Sequence, residues 1–266
     1  METEIINDRT GRKKNFIILT FILSAFIIYF SIMSMIGPGR KLAQIKSEYG
    51  IKPIGNNLPD ERIFSDSTYL KLLKEKSFLQ SKLAMAGTDS IYLTINLTDS
   101  VVNIEISGVV VHEAKISRNS ASKMLIKGNE NLILSMLSSP FKISNDYSTI
   151  KKEPVMIKMA PKDTSEYKPD IMPDTSVTIP VNFILEMTNG TRIYVYQEEN
   201  EKFFSRIKLS FFDIKERLRD TWGSLRSLAL FKVPEYHPFI KIWLSRSDAK
   251  IIYRAIPKHG QVGIYR

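Results

Sequence analysis

Two short stretches near the C-terminus combine residue types that can bind a ligand or move a proton. A histidine can accept a proton near neutral pH because its ordinary pKa lies close to that range. A tryptophan ring and a lysine ammonium can stack on a sugar or hold a carboxylate. The candidate residues are Trp222, Gly223 and Ser224 in the first stretch and His237, Phe239 and Lys241 in the second.

The composition excludes several other kinds of chemistry. The chain of 266 residues has no cysteine, which rules out disulfides, thiolate catalysis and cysteine-ligated metal sites. No P-loop, Gly-x-Ser-x-Gly, His-Glu-x-x-His or dinucleotide motif occurs, so we expect no metal and no cofactor. The formal net charge of +10 indicates anionic surroundings. Because the basic residues are spread along the chain, we do not expect a nucleic-acid partner.

The second stretch opens a predicted strand, helix and strand. Residues 239–244 are apolar and rich in β-branched and aromatic types, which is typical of a strand. Ser245 or Ser247 can cap the next helix, with Asp248 in its first turn as a capping-region residue rather than a catalytic acid. Pro257 ends that helix, His259 lies in the turn, and residues 262–265 predict the last strand.

This layout resembles the end of the L,D-transpeptidase (YkuD-type) catalytic domain. That family carries a Ser/Thr-His-Gly-Cys-Ile/Val-Arg motif, then a helix, a turn and a closing strand. His237 matches the motif's histidine, whereas Phe239 replaces the nucleophilic cysteine and Lys241 replaces the arginine. Upstream, where the family has His-Gly-Thr/Ser, Trp222 replaces the histidine.

The resemblance implies a mainly β, α+β domain, an L,D-transpeptidase-like sandwich or barrel with short helices, over residues 89–266. Since the family forms a thioester, it also implies that transpeptidation is lost and that this chain is not an enzyme. Trp222 and Phe239 would fill the former cleft as core residues, or line a binding site with His237. The expected partners are peptidoglycan or envelope proteins, with an oligomer or membrane complex left open.

Two other hypotheses about function stay open. One is an enzyme that acts on peptidoglycan without a cysteine, which an ordered polar pocket beside His237 would favour. The other is an unrelated β-rich periplasmic subunit of a membrane complex.

Residues 16–36 form an uncharged apolar run. Its 21 residues reach about 30 Å as a helix, enough to cross a bilayer core. A cleavable signal peptide is the alternative, but this run is longer than such segments and lacks an Ala-x-Ala site. Four basic residues precede the run and three follow it, and the cluster at 12–14 favours a cytoplasmic N-terminus. We predict a cytoplasmic tail at 1–15, one inner-membrane span at 16–36 and a periplasmic C-terminal domain.

Residues 37–88 are predicted to be a juxtamembrane connector and helix. Gly, Pro and Asn at 37–63 predict an irregular connector with a short helix at 42–49. Residues 65–87 predict a helix that packs on the domain or pairs with a partner helix as a stalk.

The remaining segments alternate between strand and turn patterns. Period-two alternation predicts strands at 91–97, 101–106 and 109–117, with His112 as a surface or hydrogen-bonded side chain rather than a ligand. Asn189 and Gly190 predict a hairpin between residues 181–187 and 192–197. We further predict a helix or strand at 125–137, strands at 141–143 and 155–159, a long insertion or lid at 160–180, and a helix at 206–220.

Overall fold

The computed structural model describes residues 2–50, 67–152, 180–198 and 203–266, with side chains for 16–50, 68–152, 180–198 and 209–266. The chain divides into two compact units. The helical unit comprises Met1–Glu48 and Glu216–Tyr236. The sheet unit comprises Tyr49–Lys215 and His237–Arg266.

The helical unit is built on α1, a continuous helix over Glu2–Tyr49. Among the described residues, α1 is the one helix long and apolar enough to cross a membrane, and its apolar window is unburied. Pro38 lies inside α1, so the irregular connector predicted at 37–41 is wrong, whereas the helix predicted at 42–49 is confirmed as the end of α1. The proline removes one backbone hydrogen bond, but the helix-forming residues at 40–48 carry the helix on. Residues 51–63 of the predicted connector lie outside the described residues.

The helical unit also contains the C-terminal half of α5, which spans Phe203–Ala229, and the segment after it. The rings of Tyr29 and Phe231 meet edge-on, with 6.4 Å between their centroids. A Cβ added to Gly37 would lie 3.2 Å from the carbonyl oxygen of Pro234. The segment after α5 therefore packs directly along one side of α1.

The sheet unit holds a nine-stranded sheet with helices packed on it. Its strands are β1 (Tyr92–Asn96), β2 (Val101–Ile106), β3 (Val109–Lys115), β4 (Arg118–Ala121), β5 (Phe141–Ser148), β6 (Phe183–Met187), β7 (Arg192–Gln197), β8 (Phe239–Leu244) and β9 (Gln261–Tyr265). Its other helices are α2 (Ser67–Ala86), α3 (Lys123–Lys127), α4 (Glu130–Leu137) and α6 (Arg246–Ala255).

The strand order is β3-β2-β1-β9-β5-β6-β7-β8-β4. The pairs β1–β9 and β7–β8 are parallel, and the other neighbours are antiparallel. The start of β5 pairs with β9 and the rest pairs with β6, so β5 joins the two halves of the sheet. The stretch β8–α6–β9 contributes one strand to each half.

α2 is held on the sheet partly by the buried carboxylate of Glu105. That carboxylate lies 3.0 Å from Lys82 Nζ and accepts hydrogen bonds from Tyr92 OH at 3.1 Å and Thr94 Oγ1 at 2.8 Å. Glu105 is fully buried, and a buried charge is tolerated only when it is paired and hydrogen-bonded. The pKa of Tyr92 is raised by burial and by the neighbouring Glu105 carboxylate.

α6 covers one face of the β6–β7–β8 part of the sheet. Ser245 is its N-cap, because its Oγ accepts a hydrogen bond from the Asp248 N–H at 3.2 Å. The buried Tyr253 of α6 meets the ring of Phe183 in β6, with 5.1 Å between centroids. Phe183 pairs with Val195 of β7, so these residues mark the face beneath α6.

Most of the local sequence patterns agree with the structure. The three-strand meander, the hairpin at Asn189–Gly190, the packing of α2 and the terminal strand–helix–strand are confirmed. His112 Nε2 lies 3.1 Å from Asp248 Oδ1, so of the two expected environments for His112, surface or hydrogen-bonded, the structure shows the hydrogen bond. Residues 155–159 and 160–179 lie outside the described residues.

The structure confirms the α+β class and adds that the sheet is mixed. The finer prediction, an L,D-transpeptidase-like sandwich or barrel, stays a prediction.

Candidate functional site

The six candidate residues are divided between the two units. Residues 222–224 lie inside α5 in the helical unit, because the helix predicted at 206–220 continues to Ala229. The side chain of Trp222 is 73% exposed, so it is not the core residue that one interpretation expected. Residues 237–241 lie in the sheet unit. Neither unit by itself contains the predicted cleft.

His237 fixes the hairpin turn that precedes β7. Its Nδ1 donates a hydrogen bond to the Gly190 carbonyl at 3.0 Å, since a carbonyl oxygen can only accept. Gly190 has a φ of 79°, a left-handed conformation that suits glycine. Asn189 Oδ1 accepts from the Thr191 N–H at 2.9 Å in the same turn. His237 thereby ties the entry of β8 to the β6–β7 hairpin.

Phe239 and Lys241 lie on the side of β8 opposite its three buried aliphatic residues. Strand register places side chains of β7 and β4 beside them: Tyr194 is opposite Lys241, and Trp243 lies between Tyr196 and Arg118. This side of the sheet is the reverse of the side that α6 covers. We call it the aromatic–cationic face, formed by Arg118, Tyr194, Tyr196, Phe239, Lys241 and Trp243.

The rings of the aromatic–cationic face form a continuous row. Tyr194 stacks on Tyr196 at 6.3 Å, and Tyr196 stacks on Trp243 at 5.4 Å between centroids. Phe239 meets Tyr194 edge-on at 6.3 Å. These separations fall in the favourable range for aromatic pairs. Tyr196 is anchored further by a 3.1 Å hydrogen bond between its hydroxyl and Asp213 Oδ1 of α5, within the sheet unit.

Two cations lie over these rings. Arg118 Cζ is 3.9 Å from the centre of the Trp243 ring, and Lys241 Nζ is 5.3 Å from the centres of both Tyr194 and Phe239. Within the described part of the chain, neither cation has a carboxylate partner. The rings hold the two cations in place while their N–H groups stay available to an anion. A guanidinium held in this way suits a carboxylate, which can accept two parallel hydrogen bonds.

A second polar cluster lies beside α6, on Asp146, Lys152 and Tyr253. Lys152 Nζ is 3.0 Å from Asp146 Oδ2 and lies over the Tyr253 ring at 5.0 Å. Burial and the neighbouring Asp146 carboxylate raise the pKa of Tyr253 to about 12. At neutral pH its hydroxyl is therefore protonated and serves as a hydrogen-bond donor. Among the described residues, no group of three His, Cys, Asp or Glu side chains is placed to hold a metal ion.

Sequence reasoning found two members of the aromatic–cationic face and missed four. Aromatic residues at alternate positions in β7 and β8 were a signal that could have revealed Tyr194, Tyr196 and Trp243. Arg118 gave no such signal, because β4 reaches β8 only through pairing of distant segments.

Comparisons with known proteins found no match for this chain. No family model, no curated protein and no solved structure matches it. The aromatic–cationic face and the apolar helix α1 are therefore the features on which a function can be based.

Proposed function

We propose that this protein is a membrane-anchored binding protein of the cell envelope, whose aromatic–cationic face holds an anionic carbohydrate polymer. Peptidoglycan is the candidate ligand, because it offers sugar rings together with the carboxylates of its stem peptides. Arg118 and Lys241 bind those carboxylates. The rings of Phe239 and Trp243, which are partly exposed, supply an apolar surface for the sugars. The observation that carries this proposal is the pair of ring-backed cations without a carboxylate partner in the described residues.

The anchor in this proposal is residues 16–36 of α1. Their length and exposed apolar side chains suit a bilayer core of about 30 Å. The basic cluster before the run favours a cytoplasmic N-terminus. In this orientation the run spans the inner membrane of a Gram-negative bacterium and the sheet unit lies in the periplasm. The full chain should stay in the membrane pellet after an alkaline carbonate wash. Release into the supernatant would contradict the anchor.

The role that we propose is binding, not catalysis. In the resemblance to L,D-transpeptidases, Phe239 stands where that family has its nucleophilic cysteine. Its ring packs against Tyr194 and Lys241, which supports a role for Phe239 in the ligand surface that we propose. The resemblance to that family supports a location at the wall.

Sedimentation of the full chain with purified peptidoglycan sacculi, in mild detergent and moderate salt, tests the ligand. Arg118→Ala and Lys241→Ala should each weaken retention, because each removes a charge-assisted hydrogen bond to a carboxylate. Such a bond contributes about 2 kcal/mol, or about a thirtyfold change in affinity. Circular dichroism of each variant checks that the fold is intact.

Lys142→Ala is the matched control, since Lys142 is an exposed lysine on β5 outside the aromatic–cationic face. It lowers the net charge of +10 by one, as Lys241→Ala does. Retention of Lys142→Ala should equal that of the wild type. The proposal fails if the wild type does not sediment with sacculi, or if the control loses as much as Lys241→Ala.

A second candidate function, a β-rich subunit of a membrane complex, is favoured by the edge strand β3. Val109, Val110 and Val111 are 66%, 44% and 61% exposed, on a strand that lies at the end of the sheet. An exposed apolar edge can pair with a strand of another chain. Val110→Lys should then reduce the size of the complex extracted from native membranes. An unchanged size would exclude this edge as the contact.

A further inference from the structure

The C-terminal end of α5 carries an exposed apolar tip, formed by Leu230 and Phe231. Their side chains are 60% and 83% exposed, the second being among the highest values for a large apolar residue in the described part of the chain. Both belong to the helical unit with α1. Two adjacent apolar side chains with this exposure are costly in water, so a nonpolar environment around them would stabilise the protein.

The backbone at the tip is strained at Phe231. Phe231 has a φ of 54°, in the left-handed region that favours glycine. The Phe231 N–H donates to the Leu228 carbonyl at 2.9 Å, and the Lys232 N–H donates to the Ser227 carbonyl at 2.8 Å. This is the bonding pattern of a helix end at which glycine is the usual residue. Residues strained in this way are concentrated at functional sites, so the conformation supports a role for the Phe231 side chain.

The position of the tip along α1 indicates what surrounds it. The Phe231 ring meets the ring of Tyr29, which lies seven residues before Ile36, the last residue of the apolar run. Seven residues of helix correspond to about 10 Å. The chain then returns along α1, since Pro234 lies against Gly37 just beyond the run. The tip is therefore level with the interior of the apolar run, about 10 Å from its end.

Basic side chains stand on either side of the tip. Arg226, in α5, lies one turn before Leu230, and Lys232 follows Phe231 directly. The side chains of Arg226 and Lys232 are both exposed. Long basic side chains next to an apolar segment can extend to the phosphates of lipid headgroups while the apolar part stays in the acyl region. This arrangement matches a bilayer surface with anionic lipids.

We propose that the Leu230–Phe231 tip inserts into the lipid bilayer beside α1, giving the protein a second membrane contact in addition to its span. This inference rests on the proposed anchoring by α1. The second contact fixes the C-terminal half of α5 to the membrane surface and limits the rotation of the helical unit about the axis of α1.

Site-directed spin labelling tests the insertion, and the absence of cysteine makes every introduced cysteine the sole labelling site. The full-length Phe231→Cys variant is labelled in vesicles of phosphatidylcholine and phosphatidylglycerol. Its accessibility to oxygen, which concentrates in lipid, is compared with its accessibility to a water-soluble nickel chelate. Ala25→Cys, within the apolar run, is the lipid reference, and Lys142→Cys, exposed on β5, is the aqueous reference.

The oxygen-to-nickel ratio at position 231 should resemble that at position 25 and exceed that at position 142 several-fold. Leu230→Cys keeps the Phe231 ring and should give the same oxygen-to-nickel ratio. It replaces Phe231→Cys in the experiment if that variant does not fold. A lipid-like label at 25 with an aqueous label at 231 would overturn the insertion and leave the anchor standing. An aqueous label at 25 would overturn both. A label at 231 shielded from both reagents would place the tip in a protein contact, which also overturns the proposal.

Discussion

The pair formed by Lys82 and Glu105 should respond to substitution asymmetrically. The Glu105 carboxylate is fully buried, whereas the Lys82 side chain is 29% exposed. In Lys82→Met the carboxylate keeps only two neutral donors and cannot reach water. Breaking a buried pair in this way costs 3–5 kcal/mol in general, and the partial exposure of Lys82 places the expected loss near the lower end, at about 3 kcal/mol.

The reciprocal substitution, Glu105→Gln, should be milder. The ammonium of Lys82 can turn to solvent, and the amide can keep hydrogen bonds with Tyr92 and Thr94. We expect a loss of about 1 kcal/mol, the net contribution of one hydrogen bond. Adding Glu105→Gln to Lys82→Met should restore about 1–2 kcal/mol, because it removes the stranded charge.

The assay is denaturant unfolding of the full chain in detergent micelles, in a Trp222→Phe background. Trp243 is then the sole tryptophan, and its emission reports on the sheet unit that contains the pair. Lys76→Met is the matched control, because Lys76 is an exposed lysine on the same helix, and it should change stability by about 0.5 kcal/mol or less. The reasoning is refuted if the double variant is less stable than Lys82→Met, or if both single losses are equal.

Three further predictions concern Gly37 in α1, Tyr253 in α6 and the N-cap of α6. Gly37→Leu should displace the segment packed on it and so speed tryptic cleavage after Lys232. Gly39→Leu is the control, because Gly39 has open space around it and the substitution should leave the cleavage rate unchanged. Equal cleavage rates in the two variants would contradict the packing. The pKa of Tyr253 is about 12 in the folded protein and near 10 in the unfolded chain. The stabilisation that its protonated hydroxyl provides is therefore complete below pH 10 and is lost as the pH rises through 12. In unfolding titrations at alkaline pH, the wild type should lose this stabilisation, whereas Tyr253→Phe should not. Identical dependence of stability on pH in the two proteins would contradict the prediction. Ser245→Ala should lower the unfolding free energy by about 1 kcal/mol through loss of the cap, and no loss in urea titrations would exclude that role.

Much of the sheet unit could be predicted because its elements are encoded locally. The meander and the hairpin at Asn189–Gly190 follow from period-two alternation and turn chemistry within a few residues. The last strand, helix and strand follow from one apolar run, the cap at Ser245 and the stop at Pro257.

The elements that were missed depend on context that a local pattern does not contain. Pro38 and Gly223 indicate breaks, yet both lie inside long helices, of 48 and 27 residues, whose other residues sustain them. β4 has no apolar alternation, and its ends are held by bonds from the Ser117 and Ser122 N–H groups to carbonyls of β8. The aromatic–cationic face combines three strands, so its outline appears only when their register is known.

The most direct test of the central claim is a titration of Trp243 emission in the Trp222→Phe variant with soluble peptidoglycan fragments. Trp243 lies in the aromatic–cationic face beneath Arg118, so a ligand held there must change its surroundings. We predict a saturable change in emission, shifted to higher ligand concentration by about thirtyfold when Arg118 is replaced by Gln. No saturable change, or the same midpoint with and without Arg118, would contradict binding at this face.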